Sequence, residues 1–281
     1  MMTTDSPLVS VQWLADHRTE PSVRILDATW FMPDSGRNAI AEHQASHIPG
    51  AVYFDIDRIA EPDTDLPHMV PKASAFAREV SALGISNSHR VIVYDSGAWM
   101  AAPRAWWMFR LFGHDDVHVL DGGLQAWKDA GLPVTDAAAH YPMQHFIAGF
   151  RPHLLRKVEA MRRLADTGDE AIVDTRSPGR FHGKEAEPRA GVRAGHIPGA
   201  CCVHYRALID DQGRMRNPEA VRAVFRDAGI DLDGPIVASC GSGVSAAVAA
   251  LSLATCGRFD VPVYDGSWSE WGADHSLPLA T

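Results

Sequence analysis

The sequence predicts an α/β protein made of two similar domains, each a mainly parallel sheet flanked by helices on both faces. Two observations carry this expectation: an internal repeat that spans the chain, and short β-branched runs that alternate with stretches of helical period inside each copy. In the repeat, VRILDATW (Val23 to Trp30) answers to AIVDTRS (Ala171 to Ser177), and SHIPGAVYFD (Ser46 to Asp55) to GHIPGACCVH (Gly195 to His204). VIVYDSG (Val91 to Gly97) answers to IVASCGS (Ile236 to Ser242), and VHVLDGGLQAW (Val117 to Trp127) to VPVYDGSWSEW (Val261 to Trp271). The offsets stay nearly constant: 147 for Asp27 and Asp174, 149 for His47 and His196, 145 for Asp95 and Cys240, 144 for Asp121 and Asp265. A period this long is a duplicated domain with its own core, not a solenoid.

In chain order, RILDAT, AVYFD, RVIVYD and VHVLDG read as strands of the first copy. AIVDTR, ACCVH, PIVASC and VPVYDG read as those of the second. Between them, KASAFAREVSALG, APRAWWMFRLFG, PEAVRAVFRDAG and SAAVAALSLATCG have helical period and end in the glycine that suits a helix C-terminus. Strands and helices in regular alternation imply parallel pairing. The expected domains are residues 1–138 and 154–281, joined by a linker at 139–153 within the stretch Ala137 to His153.

A chain of 281 residues with 46% hydrophobic content can bury substantial cores. The first residues have no basic segment followed by an apolar one, and no apolar run reaches 18 residues, so a soluble, cytoplasmic protein is expected. Four cysteines in a chain of this length do not make a disulfide framework, which fits a reducing compartment. A net charge of -9 argues against nucleic-acid and anionic-membrane partners. The charge is unevenly spread. Residues 1–148 carry ten basic and eighteen acidic residues, net -8, and residues 149–281 carry sixteen and seventeen, net -1, so the second half is the one suited to an anion.

Cys240 is the candidate nucleophile. It sits between a β-branched strand and an Ala-rich helix, and the residues after it, Gly241, Ser242, Gly243, Val244 and Ser245, form a loop whose two glycines let backbone N–H groups curl toward the sulfur. The helix N-terminus adds partial positive charge. Such a setting favours thiolate and would hold a persulfide or an anionic substrate. A phosphatase cysteine would need an arginine six residues further on to clamp phosphate, and that position is Ala246.

The tandem halves, the paired HIPGA segments, DTRSPGRF followed by EPR, the loop CGSGVSA and the closing YDGSWSEWG together resemble the tandem-domain rhodanese superfamily, and within it the 3-mercaptopyruvate sulfurtransferases, whose active loop has the form CG[ST]GV[ST]A. The similarity runs from about Val9 to Leu279. It implies a catalytic C-terminal domain and a non-catalytic N-terminal one, and Asp95 indeed stands where the second half has Cys240. It implies sulfur transfer from 3-mercaptopyruvate through a Cys240 persulfide to a thiol acceptor, such as a thioredoxin-like protein, or to cyanide, with pyruvate released and no cofactor or metal. Gly241 and Ser242 are neutral where thiosulfate-preferring rhodaneses carry basic residues. Arg180 and Arg189 match the arginines that hold the substrate carboxylate and carbonyl, a task suited to a guanidinium fork. The resemblance further implies a proton relay from Ser242 to His47, completed by an acid. The segment that should hold this acid reads Gly36-Arg37-Asn38, leaving Asp34 or Asn38 as the substitute, or no relay, with His47 a turn residue like its twin His196.

Other residues read as structural. Cys201 and Cys202 are adjacent on a strand and point to opposite faces, so a bridge between them would be strained. Cys256 is expected in the core, Arg176 in a carboxylate network, and the tryptophans of APRAWWMF and SWSEW in the core or a domain interface. His43 and His47 share i,i+4 spacing, but no further ligand pattern accompanies them, so no metal is expected. The alternatives to a mercaptopyruvate enzyme are a thiosulfate sulfurtransferase and a non-enzymatic persulfide carrier.

Overall fold

The computed structural model describes residues 6–97 and 99–281. The chain divides into two compact units. The first holds Met1–Ala60, Val70–Arg151 and Asp211–Arg214, and the second holds Glu61–Met69, Pro152–Asp210 and Met215–Thr281.

In the first unit the elements are β1 (Leu8–Val9), α1 (Val11–His17), β2 (Val23–Asp27), α2 (Ala39–Ala45), β3 (Ala51–Tyr53), α3 (Ala73–Ala82), β4 (Arg90–Tyr94), α4 (Ala101–Leu111), β5 (Val117–Leu120) and α5 (Gly123–Asp129). The strands form one sheet in the order β1-β5-β4-β2-β3. Every pairing is parallel, with Val23 opposite Arg90 and Val91 opposite Val117. Burial of β2 and β4 on both faces explains why they read as continuous apolar runs. The tryptophans of α4, Trp106 and Trp107, are core residues, and burying each such side chain contributes about 2–3 kcal/mol.

The second unit repeats the plan with β6 (Leu155–Arg156), α6 (Val158–Thr167), β7 (Ala171–Asp174), α7 (Pro178–Phe181), β8 (Cys201–Cys202), α8 (Pro218–Asp227), β9 (Ile236–Ser239), α9 (Ala246–Thr255), β10 (Val263–Tyr264) and α10 (Ser267–Trp271). Its sheet order, β6-β10-β9-β7-β8, matches the first strand for strand, again with parallel pairing throughout. The duplication expected from the offsets is thus a duplication of topology. Helix α9 is buried along nearly its whole length, which its Ala-rich sequence allows by letting neighbours approach closely. No helix among the described residues is long and apolar enough to cross a membrane.

Each sheet carries its loops at the carboxyl ends of β2, β4 and β5, or of β7, β9 and β10, where parallel sheets bind ligands. In the second unit this end presents Cys240.

Candidate functional site

Cys240 follows β9 directly and precedes α9 by one short loop, and its side chain is buried. Gly243 adopts a φ of 75°, which needs glycine and turns the loop into the helix. The loop is braced from behind by α10. The Cys240 carbonyl accepts from Trp268 N at 2.9 Å, and the Gly241 carbonyl accepts from Ser269 N at 2.8 Å and from Ser269 Oγ at 2.6 Å. Ser267 Oγ accepts from Cys240 N at 3.2 Å and from Gly243 N at 3.1 Å, while its own proton goes to the Tyr264 carbonyl at 2.7 Å. At 3.9 Å, Ser267 Oγ also lies beside Cys240 Sγ. A left-handed φ of 49° at Ser267 places the hydroxyl there, a conformation rare outside glycine.

The Cys240 and Gly241 carbonyls and the Cys240 and Gly243 N–H groups are taken by α10, which leaves the loop's other donors. The N–H groups of Ser242, Val244 and Ser245 make no hydrogen bond among the described residues. Ser242 and Val244 are buried. Buried backbone N–H groups are paired in the great majority of cases, so this loop is built to receive an acceptor. The Ser245 hydroxyl is tied down separately, 3.0 Å from Thr175 Oγ1.

Two arginines reach the loop. A Cβ on Gly241 would lie 3.0 Å from Arg180 Nη2, so the guanidinium rests directly against the residue after Cys240. Arg180 is on α7, whose N-terminus is capped by Ser177 Oγ accepting from Arg180 N. Its guanidinium is aimed by Glu187, which accepts from Arg180 Nε at 3.2 Å and from Arg180 Nη2. Arg189 Nη1 donates to Ser269 Oγ at 3.3 Å, the hydroxyl that holds the Gly241 carbonyl. Both arginines therefore meet the frame of residue 241.

Glu187 also accepts from Arg176 Nη1 at 2.7 Å. Arg176 forks onto Asp174, donates to the Gly195 carbonyl at 2.8 Å and lies 4.5 Å from the Trp268 ring centroid. Burial works against its charge, yet Asp174 and Glu187 outweigh that cost and hold the guanidinium above its ordinary value. The sequence reading anticipated carboxylate partners for Arg176 but passed over Glu187, Ser267 and Ser269. Glu187 stands two residues before Arg189 in EPR, and the serines flank Trp268 in SWSEW.

His47 lies in the first unit and Ser242 in the second. His47 is buried, and its Nδ1 donates to the His43 carbonyl at 2.7 Å, leaving Nε2 without a partner among the described residues. Neither candidate acid orients it. Asn38 Oδ1 is spent on capping α2, accepting from Ala41 N at 3.0 Å, and Asp34 sits exposed in a one-turn 3₁₀ helix. A backbone carbonyl takes the place expected of the acid. The twin His196 behaves alike, with Nδ1 donating to the Phe181 carbonyl at 2.9 Å and a backbone bridge to Ala280, as His47 bridges to Thr135.

All four cysteines are free thiols. Burial raises the Cys202 thiol to about 11 and raises that of Cys256 as well, so neither is a neutral-pH nucleophile. Cys256 lies half-buried at the end of α9, with Sγ donating to the Pro218 carbonyl, rather than in the core as expected. His43 Nδ1 is taken by Asp27, which removes that nitrogen from any metal set with His47.

The Rhodanese-like domain family matches residues 10–130 and 157–274. The chain is 41% identical to 3-mercaptopyruvate sulfurtransferase of Escherichia coli K12 over 96% of each chain. It is 41% identical to the mitochondrial thiosulfate/3-mercaptopyruvate sulfurtransferase 1 of Arabidopsis thaliana, over 99% of this chain and 79% of that one. The crystal structure of SseA from Escherichia coli, described as a 3-mercaptopyruvate sulfotransferase of rhodanese fold, superposes with a TM-score of 0.86 at 38% identity, covering 94% of this chain and 99% of that one.

Proposed function

The chain belongs to the rhodanese family, and on that premise we propose that it is a sulfurtransferase that takes sulfur from 3-mercaptopyruvate onto Cys240 and passes it to a thiol acceptor or to cyanide. The observation that carries the donor choice is Arg180, clamped by Glu187 and resting against Gly241, beside a loop that is neutral at both Gly241 and Ser242. One guanidinium fork fits one carboxylate. Arg189, whose Nη1 donates to Ser269 Oγ, is the group this reading assigns to the neighbouring carbonyl oxygen.

Cys240 thiolate attacks the substrate sulfur, forming the S–S bond as the sulfur–carbon bond breaks. The electron pair of that bond goes to the substrate methylene carbon as the enolate of pyruvate. The proton that began on the substrate thiol ends on this carbon, leaving pyruvate and a Cys240 persulfide. The free N–H groups of Ser242, Val244 and Ser245 are the donors for the persulfide anion. An acceptor thiolate, or cyanide, then takes the outer sulfur and restores Cys240. Ser242 and His47 are the candidate proton carriers. No organic cofactor or metal enters this scheme.

A reducing, cytoplasmic site of action belongs to this reading, supported by the four free thiols, and a thioredoxin-like protein is its suggested acceptor. The second reading, thiosulfate as donor, is favoured by the doubly named Arabidopsis relative. The deciding experiment compares kcat/KM for pyruvate release from mercaptopyruvate with that for thiocyanate formation from thiosulfate. The proposal expects a ratio well above unity, and a ratio below unity transfers the assignment to thiosulfate. Loading of Cys240 by a protein persulfide with neither donor turned over would make the chain a carrier.

A further inference from the structure

The first unit has no nucleophile in its loop, yet it keeps a pocket at the corresponding end of its sheet. The pocket is lined by Asp27, Thr29, Glu42, His43, Ala45, Ser46, Ser96, Leu124 and Lys128. The repeat offsets pair Thr29 with Arg176, Leu124 with Trp268, Lys128 with Gly272 and His43 with Val192. In the second unit the same space is full. The Arg176 guanidinium lies on the Trp268 ring, and a Cβ on Gly272 would come within 2.7 Å of both Trp268 Nε1 and Val192 Cγ1. Replacing guanidinium by threonine and indole by leucine empties that space in the first unit.

The emptied space is relined with different chemistry. Asp27 is fully engaged: Oδ1 accepts from Thr29 N and Thr29 Oγ1, and Oδ2 from Tyr94 Oη and from His43 Nδ1 at 2.9 Å. This fixes the His43 tautomer and leaves Nε2 as its unused nitrogen. Nε2 of His43, the hydroxyls of Ser46 and Ser96, and the Lys128 ammonium have no hydrogen bond among the described residues. Glu42 is neutralised by Arg37, with contacts of 2.8 and 2.6 Å. A filled site with a buried guanidinium has thus become an open one with an ammonium, an imidazole and two hydroxyls to spare.

We propose that this pocket is a second ligand site, for a small monocarboxylate. Lys128 supplies positive charge to the carboxylate, the serine hydroxyls supply hydrogen bonds, and Leu124 faces the short carbon body. The Asp27 carboxylate in the same lining selects against multiply charged anions such as sulfate.

The test is an NMR titration of the full chain with pyruvate as probe, following the backbone amides of Ser96 and Leu124 for this pocket and of Gly241 for the Cys240 loop. The proposal expects saturable shifts at Ser96 and Leu124, weakened about tenfold by Lys128→Met, the loss of one charged hydrogen bond. Leu124→Trp, which restores the indole of the second unit, should abolish them. Lys128→Met lies at an exposed position and should leave sulfur transfer at Cys240 unchanged, so failure here is separable from failure of the sulfurtransferase reading. Shifts confined to Gly241, equal saturation by sulfate, or affinity unmoved in Lys128→Met would each overturn the assignment.

Discussion

The loop after β4 and the loop after β9 occupy the same place in the two units, and they spend their backbone donors in opposite ways. In the first unit Asp95 is buried, and its carboxylate accepts from Gly97 N at 2.9 Å, Trp99 N at 3.3 Å, Met100 N at 3.0 Å and Ala102 N at 3.3 Å. The loop is an anion cradle filled by its own side chain. In the second unit Cys240 stands in that position, its carbonyl is held by α10, and the N–H groups of Ser242, Val244 and Ser245 make no hydrogen bond among the described residues. Strand, loop and helix N-terminus make an anion site in both units; Asp95 at the strand end fills it in the first, and Cys240, the proposed nucleophile, leaves it open in the second.

The largest effect should come from Cys240→Ser, which keeps the fold and leaves no usable sulfur acceptor, so turnover of mercaptopyruvate should fall to background. Replacing Cys201, Cys202 or Cys256 should leave the chemistry intact.

Next, Arg180→Lys keeps a charge but loses the fork onto Glu187 and the substrate carboxylate. Steady-state kinetics should show kcat/KM for mercaptopyruvate falling by about 1.5–3 kcal/mol of binding, expressed mainly in KM. The KM for cyanide should barely move.

Stability measurements sharpen the contrast between the two loops. Asp95→Ala orphans four N–H groups, two buried and two part-buried, and should cost about 3 kcal/mol in denaturant unfolding, whereas Cys240→Ala should cost about 1 kcal/mol. Asp95 also has a pH signature. Burial raises its carboxyl above the ordinary range, against the pull of its four backbone donors. The folded chain therefore binds this proton more tightly than the unfolded chain. The stability that follows is present below the unfolded value of about 3.9 and is lost as pH rises through the folded one. Wild type should lose stability relative to Asp95→Asn as pH rises across that window, and a constant difference would mean that Asp95 is not held this way.

The smallest effect is expected at Asn38. Because its side chain caps α2, Asn38→Asp should change stability by no more than about 0.5 kcal/mol and leave the pH profile of kcat unmoved. A shifted profile would mean that residue 38 reaches the proton relay after all.

The sequence shows the fold most clearly where burial imposes a pattern. β2, β4, β5, β7 and β9 announce themselves through β-branched runs, and the repeat offsets alone predict that the two sheets share a strand order. The edge strands β1 and β6 have two residues each, too few to display any periodicity, and they become strands only because a neighbour pairs with them. Cys240 is legible because Gly-x-Gly at a strand-to-helix turn has few other uses, and Arg180 and Arg189 because family motifs surround them. Glu187 is not, since a carboxylate shared by Arg176 and Arg180 depends on how the loop folds back, which spacing does not encode. Ser267 is hidden for a related reason: its role rests on a left-handed backbone at a non-glycine residue, which no propensity predicts. Asn38 misleads in the other direction, because a family position that suggested an acid is here a helix cap.

The loop donors of the second unit that make no hydrogen bond among the described residues are proposed to hold sulfur on Cys240. The direct measurement is mass spectrometry of the chain after incubation with mercaptopyruvate and no acceptor, read beside the pyruvate released. The account predicts one added sulfur atom, mapped to the Cys240 peptide, for each pyruvate formed, and its loss on adding cyanide. Pyruvate released without added sulfur, or sulfur mapped to Cys201, Cys202 or Cys256, would contradict it.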